Sequence, residues 1–426
     1  MLWGLGVGYV ISGMYFGWNL GLEKGGTLGM GIATFFIIIM YTAFSFSYSE
    51  LACAIPKAGG VFDYASRAIG KDVGFIGGVA QIIEFVFAPP AIAISIEAYF
   101  RLKFPSLPHN SVAITVYIVF TALNISGIRL AALFELIVTV LAVGELLLFA
   151  GLTLPHFQTA NLTHNAFPNG WAGAFAATPF AIWFFLGIEG VANVAEETKN
   201  PQRDITKGFG SAILTLVILC VITFIASVGV AGWEAIVYDN GISGKTSDSP
   251  LPLALGKIVD SHNVFFNMLV TVGLFGLIAS FHGLILAAGR STFEFGRMKL
   301  APAFVGHVSK KSQTPANALI VNMLVGITAL LIGNIDEIII ISVFGAITLY
   351  IIAMVSIIAL RRKEPELNRP FKVPFYPLTP VLALLIAIFC LVAMIYYNPM
   401  LAVIYFGIIV AAYSLLKIVD YLRKSE

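Results

Sequence analysis

The sequence predicts an all-α protein that crosses a membrane about twelve times, and three observations predict it. First, 58% of the 426 residues are apolar and only 11% are charged, where a soluble domain carries about 25% charged residues. Second, apolar stretches of membrane-crossing length recur along the whole chain. Third, the basic residues gather in alternate connections between those stretches. This composition excludes a soluble chain, a disordered one and a secreted disulfide scaffold. Cys53, Cys220 and Cys390 are scattered in or beside apolar runs, which suits a reducing or in-membrane setting and no disulfide framework. A net charge of +2 gives no reason to expect nucleic acid as a partner; the lipid bilayer is the expected one.

A helix needs roughly 20 residues to cross the hydrocarbon core. Stretches that qualify lie at about 2–22, 28–51, 73–101, 111–127, 129–153 and 172–197, then at about 207–231, 264–290, 315–333, 337–360, 378–397 and 400–421. The connection Pro56–Lys71 reads as a short surface helix, and Trp233–His262 reads as a long polar loop. The first span starts at Met1-Leu2-Trp3 with no basic leader and no small-residue cleavage site. It is therefore a retained span and not a signal peptide, with a short cytoplasmic extension expected ahead of it.

Lys and Arg concentrate on the cytoplasmic side of a membrane protein. With the N-terminus inside, all of the 25 basic residues except Lys24, Arg101, Lys103, Lys245 and Lys257 fall in inner connections. Arg129, Lys199, Arg290, Lys310, Lys311, Arg423 and Lys424 are counted among the inner ones. The expected placement is the cell (cytoplasmic) membrane with both termini cytoplasmic.

That assignment leaves no base for the middle of any span, but it leaves acids. Glu84 lies roughly 18 Å along the third span, near the midplane. Glu145 falls in the middle to outer part of the fifth span and Glu189 in the middle of the sixth, with Glu50, Glu97 and Glu135 nearer span ends. A charge at the bilayer centre costs at least about 2.5–3.5 kcal/mol. An interior that accepts this cost for acids and never for bases suits a cation, a proton or both.

Two spans carry clustered glycines at mid-depth: Ser12-Gly13-Met14-Tyr15-Phe16-Gly17 in the first and Gly187-Ile188-Glu189-Gly190 in the sixth. Glycine tolerates unwound backbone, and unwound backbone at that depth is expected to line a cavity. Spans one and six open successive groups of five, which gives two halves of opposite membrane orientation. The expected organisation is one transporter domain over 1–426, with repeat one at about 1–154, repeat two at about 171–360 and accessory helices at about 378–421. The competing reading of the glycines is close helix packing, which suits Gly4 and Gly8 better.

These features resemble the amino acid–polyamine–organocation superfamily of permeases over essentially the whole chain. The residues that carry the resemblance are Ile11-Ser12-Gly13 with Phe16-Gly17, Pro56-Lys57-Ala58-Gly59-Gly60-Val61-Phe62-Asp63-Tyr64, and Phe185-Leu186-Gly187-Ile188-Glu189-Gly190. Ala195-Glu196-Glu197-Thr198-Lys199-Asn200-Pro201, Gly289-Arg290 to Pro302, and Glu364-Pro365-Glu366-Leu367-Asn368-Arg369-Pro370-Phe371 follow in order. Within the superfamily the chain is most similar to ethanolamine permeases, through Gly6–Asn19, Ile83-Glu84-Phe85-Val86 with Pro89-Pro90-Ala91, and Phe134-Glu135-Leu136 to Glu145-Leu146-Leu147. The resemblance implies a five-plus-five inverted repeat with broken first and sixth helices plus two extra helices. It also implies a substrate held at the breaks, where amino-acid-transporting members offer backbone N–H groups to the carboxylate and carbonyls to the amine.

The candidate substrate residues are Ser12, Gly13, Met14, Tyr15, Gly17, Glu84, Phe185, Gly187, Glu189 and Gly190. Glu84 is the leading one, since ethanolamine at neutral pH is an ammonium without a carboxylate; the alternative is a protonated structural Glu. Glu189 follows a pattern common in the superfamily and is expected to stabilise the unwound segment. Aromatic faces attract ammonium groups by about 0.5–2 kcal/mol. With 34 Phe, 15 Tyr and 5 Trp in the chain, however, any single ring is first a packing residue. Coupling candidates are Glu145, Ser280 and His282. Glu145 stands where proton-coupled relatives carry a base, and it reads equally as a proton carrier or a neutral packing residue. His282 is a proton relay or, more simply, a hydrogen-bonded structural His. Ser280 sits where sodium-coupled relatives place hydroxyl ligands, but without a neighbouring hydroxyl, which argues against sodium.

No His-x-x-Glu-His, Gly-x-Ser-x-Gly or Gly-x-x-x-x-Gly-Lys-Ser/Thr motif is present, so neither an enzyme, a metal site, a cofactor nor an ATP-driven pump is expected. The predicted function is import of a small organic amine, ethanolamine first, by alternating access, with a proton or sodium ion as candidate coupling ion. The alternative is an amino acid permease of the same fold, for a neutral or cationic amino acid, proton-coupled or exchanging. The oligomeric state stays open.

Overall fold

The computed structural model describes residues 2–198, 200–238, 245–260, 263–309 and 312–425. Lys199, His262, Lys310 and Lys311 lie outside the described residues, as do the side chains of Arg129, Ala195, Glu196, Glu197, Arg423 and Lys424. Among the described residues every regular element is helical, with one isolated bridge between Tyr238 and Thr246.

The helices are α1 (Leu2–Val10), α2 (Trp18–Ala54), α3 (Val61–Ala68), α4 (Lys71–Lys103), α5 (Ser111–Ser126) and α6 (Ile128–Thr153). There follow α7 (Thr159–Thr163), α8 (Gly170–Ala176), α9 (Thr178–Trp183), α10 (Pro201–Ala231), α11 (Trp233–Val237) and α12 (Pro250–Leu255). The chain ends with α13 (Val264–Arg297), α14 (Ala316–Ile332), α15 (Ile335–Lys363), α16 (Leu378–Tyr397) and α17 (Pro399–Ser425). Eight of these are long and apolar enough to cross a membrane, and α5 and α14 are shorter apolar helices of 16 and 17 residues. The remaining two crossings are the interrupted ones. The protein is a polytopic all-α membrane protein.

The first and second predicted spans meet inside α2, which is 37 residues long and bent at Gly26 (φ 63°, ψ −171°). Residues before the bend complete the first span; residues after it form the second. The predicted surface helix is α3, whose Asp63 and Arg67 stand in its first and last turns, where each complements the helix dipole.

Two expectations need correction. The stretch after Trp233 is not a plain polar loop: α11 and α12 bury Trp233, Ile236, Val237, Leu251, Ala254 and Leu255. Arg290 is not in a connection either. The helix α13 runs on to Arg297, so Arg290 lies inside it with the residue only 8% exposed. Its four-residue spacing from Glu294 keeps both on one helix face.

One face of the bundle gathers basic connections into ion pairs. Arg361 donates to both oxygens of Glu50 (2.8 and 2.5 Å), Arg369 Nε approaches the same carboxylate at 3.4 Å, and the Val373 N–H donates to it at 2.7 Å. The Arg361 guanidinium also lies 4.0 Å from the centre of the Tyr376 ring. Nearby, Arg67 grips Glu364 with two bonds (2.9 and 2.6 Å), and Lys417 meets Asp72 at 2.6 Å. The Arg67 hydrogen bonds hold the Glu364 carboxyl below its ordinary range, and Lys417 does the same to Asp72.

On the opposite face, the buried Glu97 carboxylate accepts the N–H groups of Asn110, Val112 and Ala113 (2.8–3.2 Å). It thereby supplies the cap that the first turn of α5 needs. A polar cavity of about 390 Å³ opens there, lined by Glu23, Lys24, His109, Asp248 and Asp336, with Leu20 and Phe180 on the bundle side.

Candidate substrate site at the two helix breaks

Both predicted breaks are present. After α1 the chain makes one tight turn, Ile11–Met14, then leaves helical geometry at Gly17 (φ +86°) before α2 begins. After α9 it passes Phe184 to Gly187 (φ +97°) and continues as a 3₁₀ stretch, Ile188–Glu197. Gly17 and Gly187 hold positive φ that a side-chain-bearing residue adopts only with strain.

The breaks pack directly on each other. A Cβ on Gly13 would lie 3.0 Å from Phe184 Cα, and one on Gly187 would lie 3.5 Å from the Tyr9 carbonyl. Aromatic rings enclose the junction: Phe16 meets Trp183 edge-on at 5.4 Å, Trp18 stacks on Phe184 at 5.6 Å, and Tyr41 lies 5.2 Å from Phe185. Ser12, Gly13, Met14, Tyr15, Gly17, Phe185, Gly187, Glu189 and Gly190 are all buried.

Backbone groups freed at the first break are largely answered by the chain itself. The Ser12 N–H donates to Ser280 Oγ (2.8 Å), and that hydroxyl donates to the Gly8 carbonyl (2.7 Å). The Tyr15 and Phe16 N–H groups both reach the Ser12 carbonyl (2.9 and 3.3 Å). The Gly17 N–H donates to Asn19 Oδ1 (3.0 Å), whose amide is fixed by the Ser247 carbonyl (2.7 Å). The Met14 carbonyl accepts from Trp18 Nε1 (3.1 Å). Ser280 thus acts as a clasp between α13 and both sides of the turn.

Two acids converge beside the sixth break. Glu84, on α4, is fully buried, and its carboxyl lies against that of Glu189 and beside the Gly187 N–H. Among the described residues, no base or hydroxyl group donates to Glu84. Glu189 accepts from the Tyr350 hydroxyl (3.0 Å), which contacts the Tyr41 hydroxyl (2.9 Å). Among the described residues, no basic side chain pairs with either carboxyl. Close packing of α15 on α4 sets this position: Ser342 Oγ donates to the Glu84 carbonyl (2.8 Å), and Gly345 leaves room for the backbone of Ala80 and Glu84.

Pro89 and Pro90 lie inside the same helix. Having no N–H, they withdraw the usual intrahelical donors from the carbonyls of Phe85 and Val86, immediately after Glu84. Carboxyls without basic partners, next to carbonyls that have lost their intrahelical donors, make a locus rich in acceptors. That chemistry suits a positively charged hydrogen-bond donor.

Glu145 does not join this group. Its carboxyl takes a 2.5 Å hydrogen bond from the Tyr15 hydroxyl, which also reaches the Ala142 carbonyl at 3.1 Å. Nor does His282, which is paired with Glu135 (Nδ1 to Oε2, 2.9 Å). Sequence reasoning missed Tyr41, Tyr350 and the partnership of Glu135. The available signal for the tyrosines was a hydroxyl in the middle of an apolar span, hidden among many aromatic residues. Among the described residues, no group of three or more His, Cys, Asp or Glu side chains could hold a metal ion.

A many-helix membrane bundle with two opposed breaks and a polar locus between them is the architecture of a secondary permease. The amino acid permease family matches residues 2–418, and the chain belongs to that family. It is therefore a transporter and not an enzyme. It is 26% identical to the branched-chain amino acid permease BcaP of Bacillus subtilis, over 85% of this chain and 80% of that one. Similarity to the low-affinity putrescine importer PlaP of Escherichia coli is 27% identity over 80% of this chain and 76% of that one. The methylthioribose transporter of Bacillus subtilis is 24% identical over 80% of this chain and 75% of that protein.

Proposed function

We propose that the protein imports a small organic amine, ethanolamine first, across the cytoplasmic membrane by alternating access. The observation that carries this reading is the Glu84–Glu189 pair: two buried carboxyls in mutual contact with no base beside them. Two like charges side by side in a low dielectric cannot both be ionised without a cation between them. An ammonium group supplies that cation, and the carbonyls of Phe85 and Val86 offer it further acceptors.

The state of the backbone N–H groups favours an amine over an amino acid. Where permeases of amino acids present unwound N–H groups to a substrate carboxylate, Ser12 and Gly17 here donate to Ser280 and Asn19. The Gly187 N–H faces the protein's own Glu84 carboxyl. A substrate carboxylate would meet acids at the sixth break, and at the first break the Ser12 and Gly17 N–H groups already have acceptors. The names of the relatives span branched-chain amino acids, putrescine and methylthioribose, so the site has to decide among them.

The basic face is placed in the cytoplasm, following the usual bias of Lys and Arg, which puts the 390 Å³ polar cavity outside as the vestibule. A cation entering a negative interior gains about 2.3 kcal/mol per 100 mV, so membrane potential contributes to the drive. Uptake of labelled ethanolamine into proteoliposomes, against a panel of amino acids and across imposed potentials, tests the reading. Saturable ethanolamine uptake unaffected by excess leucine supports it; competition by an amino acid with no ethanolamine transport overturns it.

A further inference from the structure

We infer that the pair Glu135–His282 is the coupling-proton site of this transporter, an inference that rests on the transport reading above. Glu135 projects from α6 and His282 from α13, and the side chains are 1% and 0% exposed. His282 Nδ1 meets Glu135 Oε2 at 2.9 Å, while Glu135 Oε1 and His282 Nε2 have no hydrogen-bond partner in the protein. Left open, they are an acceptor and a ring nitrogen able to take or give a proton.

Charge balance sets the number of protons. A carboxylate beside a neutral imidazole would leave one uncompensated negative charge in a sealed interior. Adding one proton gives either carboxylate with imidazolium or carboxylic acid with neutral imidazole. The 2.9 Å contact serves both forms, with Nδ1–H donating in the first and the carboxyl O–H donating in the second. One shared proton therefore balances the charge of the buried pair.

The neighbours link the pair to the helix that leads into the first break. Phe120 of α5 and Phe134 of α6 close on the imidazole ring at 6.1 and 5.3 Å, and Asn124 of α5 donates to the His282 carbonyl at 3.3 Å. On the α1 side, Glu135 lies directly under Gly8, where any side chain would collide with Oε1, and Thr139 Oγ1 donates to the Gly4 carbonyl. Tyr9 of α1, itself titratable, packs beside Gly283, next to Glu135 Oε1. Gly8 and Tyr9 immediately precede the first break. Swinging α1 away from α6 and α13 would uncover Oε1 and admit water, so opening of the substrate site and release of the proton become one motion.

The test uses the full-length protein in proteoliposomes with an internal pH dye and the membrane potential clamped to zero. Ethanolamine, putrescine and leucine are added separately, and labelled counterflow of each is followed in parallel. The expected result is substrate-dependent acidification of the lumen with wild type. Glu135→Gln, and independently His282→Gln, should lose at least about tenfold of that proton flux while keeping counterflow, which also shows that each variant is folded. Transport with full proton flux in both variants overturns the proposal, as does wild-type transport without any proton flux. If leucine or putrescine moves with a proton and ethanolamine does not, the amine assignment fails while the proton site stands.

Discussion

The hydroxyl of Tyr15 donates a 2.5 Å hydrogen bond to Glu145 Oε2, joining the first helix break to the middle of α6. Both residues are buried, and Gly273 and Gly276 of α13 leave space for the Tyr15 ring. The carboxyl is therefore held as the anchor of a residue in the first break. Glu145→Gln preserves an acceptor for Tyr15 and should retain most uptake and its dependence on a pH gradient. Tyr15→Phe strands a buried carboxyl, at a cost of about 1–3 kcal/mol, and should lower the melting temperature and slow uptake. Loss of gradient-driven accumulation in Glu145→Gln alone would make Glu145 a proton carrier instead.

Glu84→Gln removes the acid most suited to an ammonium while keeping shape and burial. Ethanolamine uptake should fall by more than about tenfold, equal to 1.4 kcal/mol or more of lost recognition, with the protein still inserted and monodisperse. Glu189→Gln should be milder, because the Tyr350 hydroxyl still finds an acceptor at that position. Wild-type uptake by Glu84→Gln would leave this residue a structural role only.

Much of the architecture is legible in the sequence because the solvent is hydrocarbon: a crossing helix must be long and apolar, and polar connections mark where it ends. The breaks are legible because Gly17 and Gly187 are needed for their positive φ. What is not legible is rotation. Helices such as α4 and α15 are apolar around most of their circumference, so no stripe tells which side of Glu84 faces Glu189. The Tyr41–Tyr350–Glu189 chain arises only when α2, α15 and the sixth break are packed together. Glu135 reads as a residue near a span end until α13 places His282 against it. Arg290 was misplaced for the opposite reason, since a base near the end of an apolar stretch looks like the start of a connection, whereas α13 continues through it.

The Glu50 clasp makes a stability prediction. Its carboxylate is buried and bound by Arg361, Arg369 and the Val373 N–H, so it ties the end of α2 to α15 and the segment beyond it. Removing one partner of a buried pair leaves an uncompensated charge and costs about 3–5 kcal/mol. Arg361→Ala should therefore lower the melting temperature in detergent strongly, and Glu50→Gln combined with Arg361→Ala should recover part of the loss. An unchanged melt in the single variant would show that Arg369 alone suffices.

The exposed pairs on the same face predict a pH window. Glu364 and Asp72 titrate below their ordinary range because Arg67 and Lys417 bond their ionised forms. A depressed carboxyl stabilises the fold above its unfolded pKa and loses that contribution as pH falls through the folded one. Between about pH 5 and 8 both pairs stay ionised, so Glu364→Gln should leave the pH profile of transport unchanged in that range. Below about pH 4 the wild-type protein should lose stability that this variant has already lost, measured as convergence of their melting temperatures.

The contact between the two breaks gives the last prediction. A Cβ on Gly13 would press on the Trp183 carbonyl and on Phe184 Cα, which are both backbone atoms and cannot rotate aside. Gly13→Ala must therefore push the first break away from the sixth, an overpacking that costs about 1–3 kcal/mol. Substrate affinity should fall more than protein level, because the proposed site lies in the gap being widened. Gly31→Ala is the matched control on α2: nothing lies within 4 Å of its Cβ position, and alanine favours helix over glycine by about 1 kcal/mol. That variant should transport normally and melt no lower than wild type. Equal behaviour of the two variants in binding assays would mean that the breaks separate freely and that their contact does not shape the site.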